Sequence, residues 1–148
     1  MGLDCYLTAR KHVSSHHTHL TEAVTKWSVK GLSALGGLKA LECDAAYWRK
    51  ANQIHRWFVT NAQYGEDDGK RYPVEQAQLA ELLETCLKIK ENPSLAEHLL
   101  PTQSGFFFGS LDYGKEYMEG IEDTIAQLEK FVGNEDLEGW YFYYQASW

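Results

Sequence analysis

The chain has 148 residues, the length of one domain able to bury a core without disulfide or metal staples. A formal net charge of −7 excludes a general nucleic-acid binder, which needs a basic surface to neutralise phosphates, and suits a partner with a basic patch. Three cysteines without a CxxC pair, no signal peptide and no apolar run of bilayer length point to reduced thiols in a cytoplasm.

Met1-Gly2 would fit N-myristoylation only with Ser or Thr at position 6, which is Tyr6. Residues 2–8 alternate Leu3, Cys5 and Leu7 against Asp4, Tyr6 and Thr8, the period of a strand. The stretch 11–37 is polar and glycine-bearing and reads as a long loop with short pieces of structure. Residues 38–46 alternate imperfectly and read as a second strand. A helix is predicted over 44–62, with Asp44 as N-cap and Gly65 and the following EDDG ending it.

A second helix is expected from Pro73, whose fixed φ suits a first turn, to about Glu91. Its apolar stripe is Leu79, Leu82, Leu83, Cys86 and Leu87, and Asn92-Pro93 stops it. LLPTQSGFFFGS, 99–110, reads as an aromatic loop or short strand whose flanking glycines permit close backbone approach. Alternation there sends Phe106 and Phe108 one way and Phe107 the other, and the favoured reading is a core plug. The third helix is predicted over 113–132, capped by Asp112 and ended by Gly133-Asn134. WYFYYQASW, 140–148, is a final strand whose aromatic run calls for cover on both faces. Together these elements predict an α+β fold: one compact domain, 1–148, with a small antiparallel sheet of N- and C-terminal strands packed against about three helices.

The densest chemistry lies in YWRKANQIHRWFV, 47–59. On a helical wheel Trp48, Asn52, His55 and Val59 form one column, with Arg49 and Arg56 just beyond it. Arginine grips carboxylate or phosphate bidentately, while His and Asn orient a ligand. The competing reading is a buried His and Asn bonded to backbone, with arginine stems covering tryptophan. The histidines His16, His17 and His19 have no matching distant partners, so a solvated loop outweighs a metal site and no cofactor is expected. Cys43 and Cys86 fit small core residues better than nucleophiles beside His55. Glu66-Asp67-Asp68 reads as solubilising turn charge. No phosphate loop, dinucleotide fingerprint, HExxH, GxSxG or deaminase motif is present.

MGLDCYL, YWRKANQIHRWFV, LLPTQSGFFFGSLDY and YYQASW, spanning both ends and the middle, together resemble an uncharacterised family of short bacteriophage, prophage and bacterial proteins. Some of its members carry a phosphoglycerate kinase label, but this chain is far too short for that two-domain enzyme and has no nucleotide loop. The resemblance implies a phage setting and supplies no reaction.

The expected function is therefore a phage-associated, non-enzymatic binding protein in the host cytoplasm, with no membrane and a homo-oligomer as one option. Its ligand is an anionic or nucleotide-like small molecule, or a host protein inhibited as an anti-defence target. The expected pocket comprises Trp48, Arg49, Asn52, His55 and Arg56 with Gln103, Ser104, Tyr144, Gln145 and Trp148. The alternative is a small hydrolase or transferase with His55 as general base and Arg49 stabilising negative charge.

Overall fold

The computed structural model describes residues 2–14, 22–23 and 38–148. His16, His17 and His19 lie outside the described residues. In the first strand, β1 (Asp4–His12), the buried alternation runs Cys5, Leu7 and Ala9 past the predicted end at residue 8. The second, β2 (Ala40–Arg49), pairs antiparallel with β1, Asp4 facing Arg49 and His12 facing Ala40, with a bulge where the register shifts between Leu7 and Thr8.

Here the predicted helix over 44–62 is corrected. Asp44 caps nothing; it is a strand residue opposite Thr8, and Tyr47-Trp48-Arg49 finish β2 in extended form. Trp48 is buried while Tyr47 and Arg49 point outward, the period-2 pattern of a strand. Lys50 then takes a left-handed backbone (φ 55°), and its amide donates to Leu3 O at 2.8 Å. Only after this turn does α1 (Asn52–Asn61) begin.

Pro73 starts no helix either. It sits in a three-residue edge strand, β3 (Tyr72–Val74), where a missing N–H is tolerated. The helix behind it, α2 (Gln76–Glu91), is capped by Glu75, whose backbone N–H donates to Gln78 Oε1 at 2.8 Å. Leu79, Leu82, Cys86 and Ile89 form its buried stripe; Leu83 is partly covered and Leu87 is exposed. Asn92 ends α2, and its side chain caps a 3₁₀ turn, Pro93–Leu95, that leads into the short α3 (Ala96–Leu99).

The predicted 113–132 helix is α4 (Lys115–Leu128), shorter at both ends. Gly114, not Asp112, stands at its N-cap; Asp112 instead exchanges hydrogen bonds with Ser110. The last strand, β4 (Tyr141–Ser147), pairs antiparallel with β1, Ser147 opposite Asp4 and Tyr141 opposite Arg10. The sheet order is β2-β1-β4-β3. The fold is thus α+β: the described residues form a four-stranded antiparallel sheet and the four helices α1–α4, with N- and C-terminal strands side by side in the centre.

Among the described residues the helices of the core cover one face of the sheet. Leu3, Cys5, Leu7, Trp48, Phe142 and Tyr144 meet Ile54, Phe58, Leu79, Leu82, Ile121 and Leu128 in a single core, the face-against-helix burial that drives such folds. Tyr144 stacks on Phe58 with ring centroids 4.0 Å apart. On the other face Tyr6 packs on Tyr47, and Arg71 lies over the Tyr143 ring at 4.6 Å while bonding Thr8 and Glu42. Among the described residues, helix cover reaches the Phe142, Tyr144 and Ala146 face of β4. Among the described residues no helix is long and apolar enough to cross a membrane.

All three cysteines are free, Cys5 and Cys86 buried and Cys43 exposed. Burial pushes the Cys5 and Cys86 thiols from 9.0 up to about 12, although the neighbouring Tyr144 hydroxyl pulls Cys5 the other way. Unfolded thiols lose protons near pH 9 while these two hold theirs, so stability falls as pH rises above that point. Native protein at pH 8 should accordingly react with a thiol reagent at Cys43 alone, and urea-unfolded protein at all three positions. Rapid native labelling of Cys5 or Cys86 would contradict this packing.

Candidate functional site

The first turn of α1 fastens the molecule together. Asn52 is buried, and its side-chain amide donates to Phe108 O (3.2 Å) and Ser110 O (2.9 Å) while accepting from the Gln103 backbone N–H (2.9 Å). One side chain thereby holds the whole 103–110 loop against the helix. Gly105 and Gly109 make this close approach possible. A Cβ on Gly105 would stand 2.5 Å from the Phe108 ring, and one on Gly109 (φ +99°) 2.9 Å from Lys50 O. Only Phe108 is the plug; Phe106 and Phe107 are 72% and 53% exposed, against the predicted alternation.

One helical turn later His55 is fully buried. Its Nε2 lies 3.1 Å from Asp67 Oδ2 and its Nδ1 2.8 Å from the Tyr144 hydroxyl. A carboxylate only accepts, so Nε2 donates to Asp67, while Nδ1 shares the second hydrogen bond with the Tyr144 hydroxyl. The Cys5 thiol neighbours the same hydroxyl, and burial drives the Tyr144 phenol well above its ordinary value. Phe108 and Trp148 close over the imidazole, ring centroids at 5.4 and 5.6 Å. A general base needs a nitrogen that meets substrate. His55 has both nitrogens engaged inside the core, the geometry of a structural post.

The open space lies on the other side of α1. A cleft of about 430 Å³ is lined by Arg49, Lys50, Ala51, Gln53, Gly109 and Ser110, and across from them by Glu116, Tyr117, Glu119 and Gly120 of α4. No side chain caps α1 and its first turn carries no acidic residue. The backbone amides of Ala51, Asn52 and Gln53 have no acceptor among the described residues. Gln53 is 4% exposed, and its side-chain amide makes no hydrogen bond among the described residues. Its Nε2 sits 3.0 Å from where a Cβ on Gly120 would stand, so the amide faces the cleft wall of α4. The residue is covered but its amide atoms still reach the open cleft, so they offer one donor and one acceptor to whatever fills it.

The ten predicted pocket residues therefore divide. Asn52, His55, Tyr144 and Trp148 come together, but as core and its lid. Trp48 is buried elsewhere, its indole N–H donating to Thr124 Oγ1 at 3.0 Å. Arg49 lines the cleft, where Asp4 holds its guanidinium at 3.3 Å. Arg56 leaves that group and donates to Thr102 O at 2.9 Å. Gln103 supplies a backbone amide, Ser104 is exposed and Gln145 donates to Gly69 O at 2.9 Å. Gln145 and Ser147 lie within β4, not beyond it, and β1 separates Ser147 from Arg49.

Sequence reasoning overlooked Lys50, Gln53, Glu116, Glu119 and Asp67. Gln53 and Lys50 stood inside the richest segment, and a strand reading of Tyr47–Arg49 would have turned them toward the helix start. Nothing local marked Asp67, the middle of an acidic turn. Among the described residues no cluster of His, Cys, Asp and Glu could hold a metal. No protein-family model, curated protein or solved structure matches the chain.

A post and a ligand-binding group respond differently to deletion. His55→Ala leaves a cavity and strips Asp67 and Tyr144 of their partner, and should lower unfolding free energy by about 2–4 kcal/mol. Tyr144→Phe should cost about 1–3 kcal/mol by orphaning Nδ1. Urea titrations check both, and a His55→Ala protein as stable as the parent would show that the network holds nothing.

Proposed function

We propose that this is a non-enzymatic binding protein that holds a small anionic molecule at the start of α1. One observation carries the reading: an uncapped helix N-terminus, with three unpaired amides, opens beside a cleft floored by the partnerless Gln53 amide. Such an end presents N–H groups and the positive pole of the helix dipole to an anion. Arg49 and Lys50 add two cationic side chains on the same wall. Burial of His55 weighs against the hydrolase alternative, because chemistry at this cleft would have to proceed without it. The resemblance to phage and prophage proteins supports a role inside an infected host cell, where an anti-defence protein could act by sequestering a small anion.

A second reading, a host-protein inhibitor, is favoured by the adjoining Phe106 and Phe107. These rings pack on each other at 4.3 Å yet remain mostly exposed. An inhibitor of that kind should lose its partner on Phe106→Ser with Phe107→Ser, while keeping its small anion.

Gly120→Ala separates function from stability. It replaces a helix-interior glycine, worth about 1 kcal/mol in propensity, yet crowds Gln53 Nε2 at 3.0 Å. The variant should melt at or above the parent temperature and bind anions more weakly, as read by the phosphate- or carboxylate-induced rise in melting temperature. Unchanged anion stabilisation in both Gly120→Ala and Arg49→Ala would remove the cleft from consideration.

A further inference from the structure

The cleft has two poles. One wall carries Arg49, Lys50 and the start of α1 at Ala51 and Gln53; the other, from α4, carries Glu116 and Glu119. Arg49 is partly neutralised by Asp4, and Glu119 by Lys115 at 3.5 Å on the surface of its own helix. Lys50 and Glu116 form no ion pair among the described residues. Two opposed charges left without partners on facing walls are poorly arranged for a purely anionic guest, which Glu116 and Glu119 would repel. They are well arranged for a molecule carrying both signs. Between the poles the floor is Gln53, one amide N–H₂ donor and one carbonyl acceptor, the complement of another amide.

We propose that the cleft binds a short peptide zwitterion of about two residues. Its carboxylate would lie on the α1 amides with Arg49 and Lys50, its ammonium would lie against Glu116 and Glu119, and its central amide would pair with Gln53. The inference rests on the anion-binding reading above, whose anion becomes the peptide carboxylate. A volume of about 430 Å³ is ordinary for a small-ligand site. It has room for two extended residues, which reach about 7 Å. A nucleotide fits less well. The one aromatic ring of the lining, Tyr117, is 4% exposed and its hydroxyl donates to Leu100 O at 2.8 Å, so no face is offered for base stacking. A free amino acid carries both charges on one carbon and cannot reach both walls while presenting an amide between them.

Isothermal titration of the full chain distinguishes these cases. The probes are alanyl-alanine, N-acetyl-alanyl-alanine (no ammonium), alanyl-alanine amide (no carboxylate), L-alanine, adenosine monophosphate and inorganic phosphate. Alanyl-alanine should bind, and each capped form and L-alanine should bind at least tenfold more weakly. In the Glu116→Gln, Glu119→Gln double variant the free and N-acetylated dipeptides should bind alike. Both substitutions lie on the surface of α4, and circular dichroism confirms the fold. If the N-acetylated dipeptide, the monophosphate or phosphate binds as tightly as free dipeptide, the zwitterion inference fails while the anion reading stands. Binding of L-alanine as tight as the dipeptide assigns the site to free amino acids and overturns the peptide. No binding by any probe at millimolar concentration overturns both.

Discussion

Asn52 is the residue on which the rest of the site depends. Its three hydrogen bonds bring the 103–110 loop down onto the first turn of α1. In that position Phe108 reaches the imidazole of His55, and Gly109 and Ser110 become a wall of the cleft. The same side chain thus closes the core on one side of α1 and opens a ligand-sized space on the other. An amide can do this because it donates twice and accepts as well, and because burial leaves each of those bonds without competing water. Serine or aspartate at this position could not match the set.

The sheet and the helix have a reciprocal relation. β1 and β4 lie side by side in the centre, so the Tyr144 hydroxyl is carried to His55 by the most sequence-distant pairing in the fold. Asp67, in the turn after α1, completes the line from Cys5 through Tyr144 and His55. Cys5, Tyr144 and His55 are buried and Asp67 is partly so, its Oδ1 without a partner among the described residues, which makes the line costly to disturb and hence a determinant of how the C-terminal strand docks. The segment rich in functional side chains is rich for two reasons: Asn52 and His55 serve the core, whereas Arg49, Lys50 and Gln53 serve the cleft.

Much of the fold was legible because period-2 and period-3.6 patterns are clean where one face is buried. Leu3, Cys5 and Leu7 and the stripe from Leu79 to Cys86 read correctly, and the third predicted helix encloses α4. The start of α1 did not. Tyr47 and Trp48 are both aromatic, so alternation between an exposed and a buried ring leaves no contrast in hydrophobicity, and the left-handed Lys50 lacks the usual glycine or asparagine signature. Pro73 misled because edge strands and first helical turns tolerate proline equally. Of the expected pocket residues, Arg49 lines the cleft. Asn52 and His55 were singled out for their chemistry, which is present but spent inside the protein. Nothing in the sequence marks Glu116 and Glu119, since only the placing of α4 across the cleft from the start of α1 brings them near Lys50.

The central claim is that ligand enters at the start of α1 and that His55 stays behind it as support. Two-dimensional ¹⁵N–¹H correlation spectra recorded during titration with alanyl-alanine test it most directly. The account predicts shifts concentrated at the backbone amides of Ala51, Asn52 and Gln53, at the Gln53 side-chain amide and at Gly120, with the Trp148 indole N–H unmoved. Shifts centred on Trp148 and the residues around His55, with the α1 amides unmoved, would contradict it.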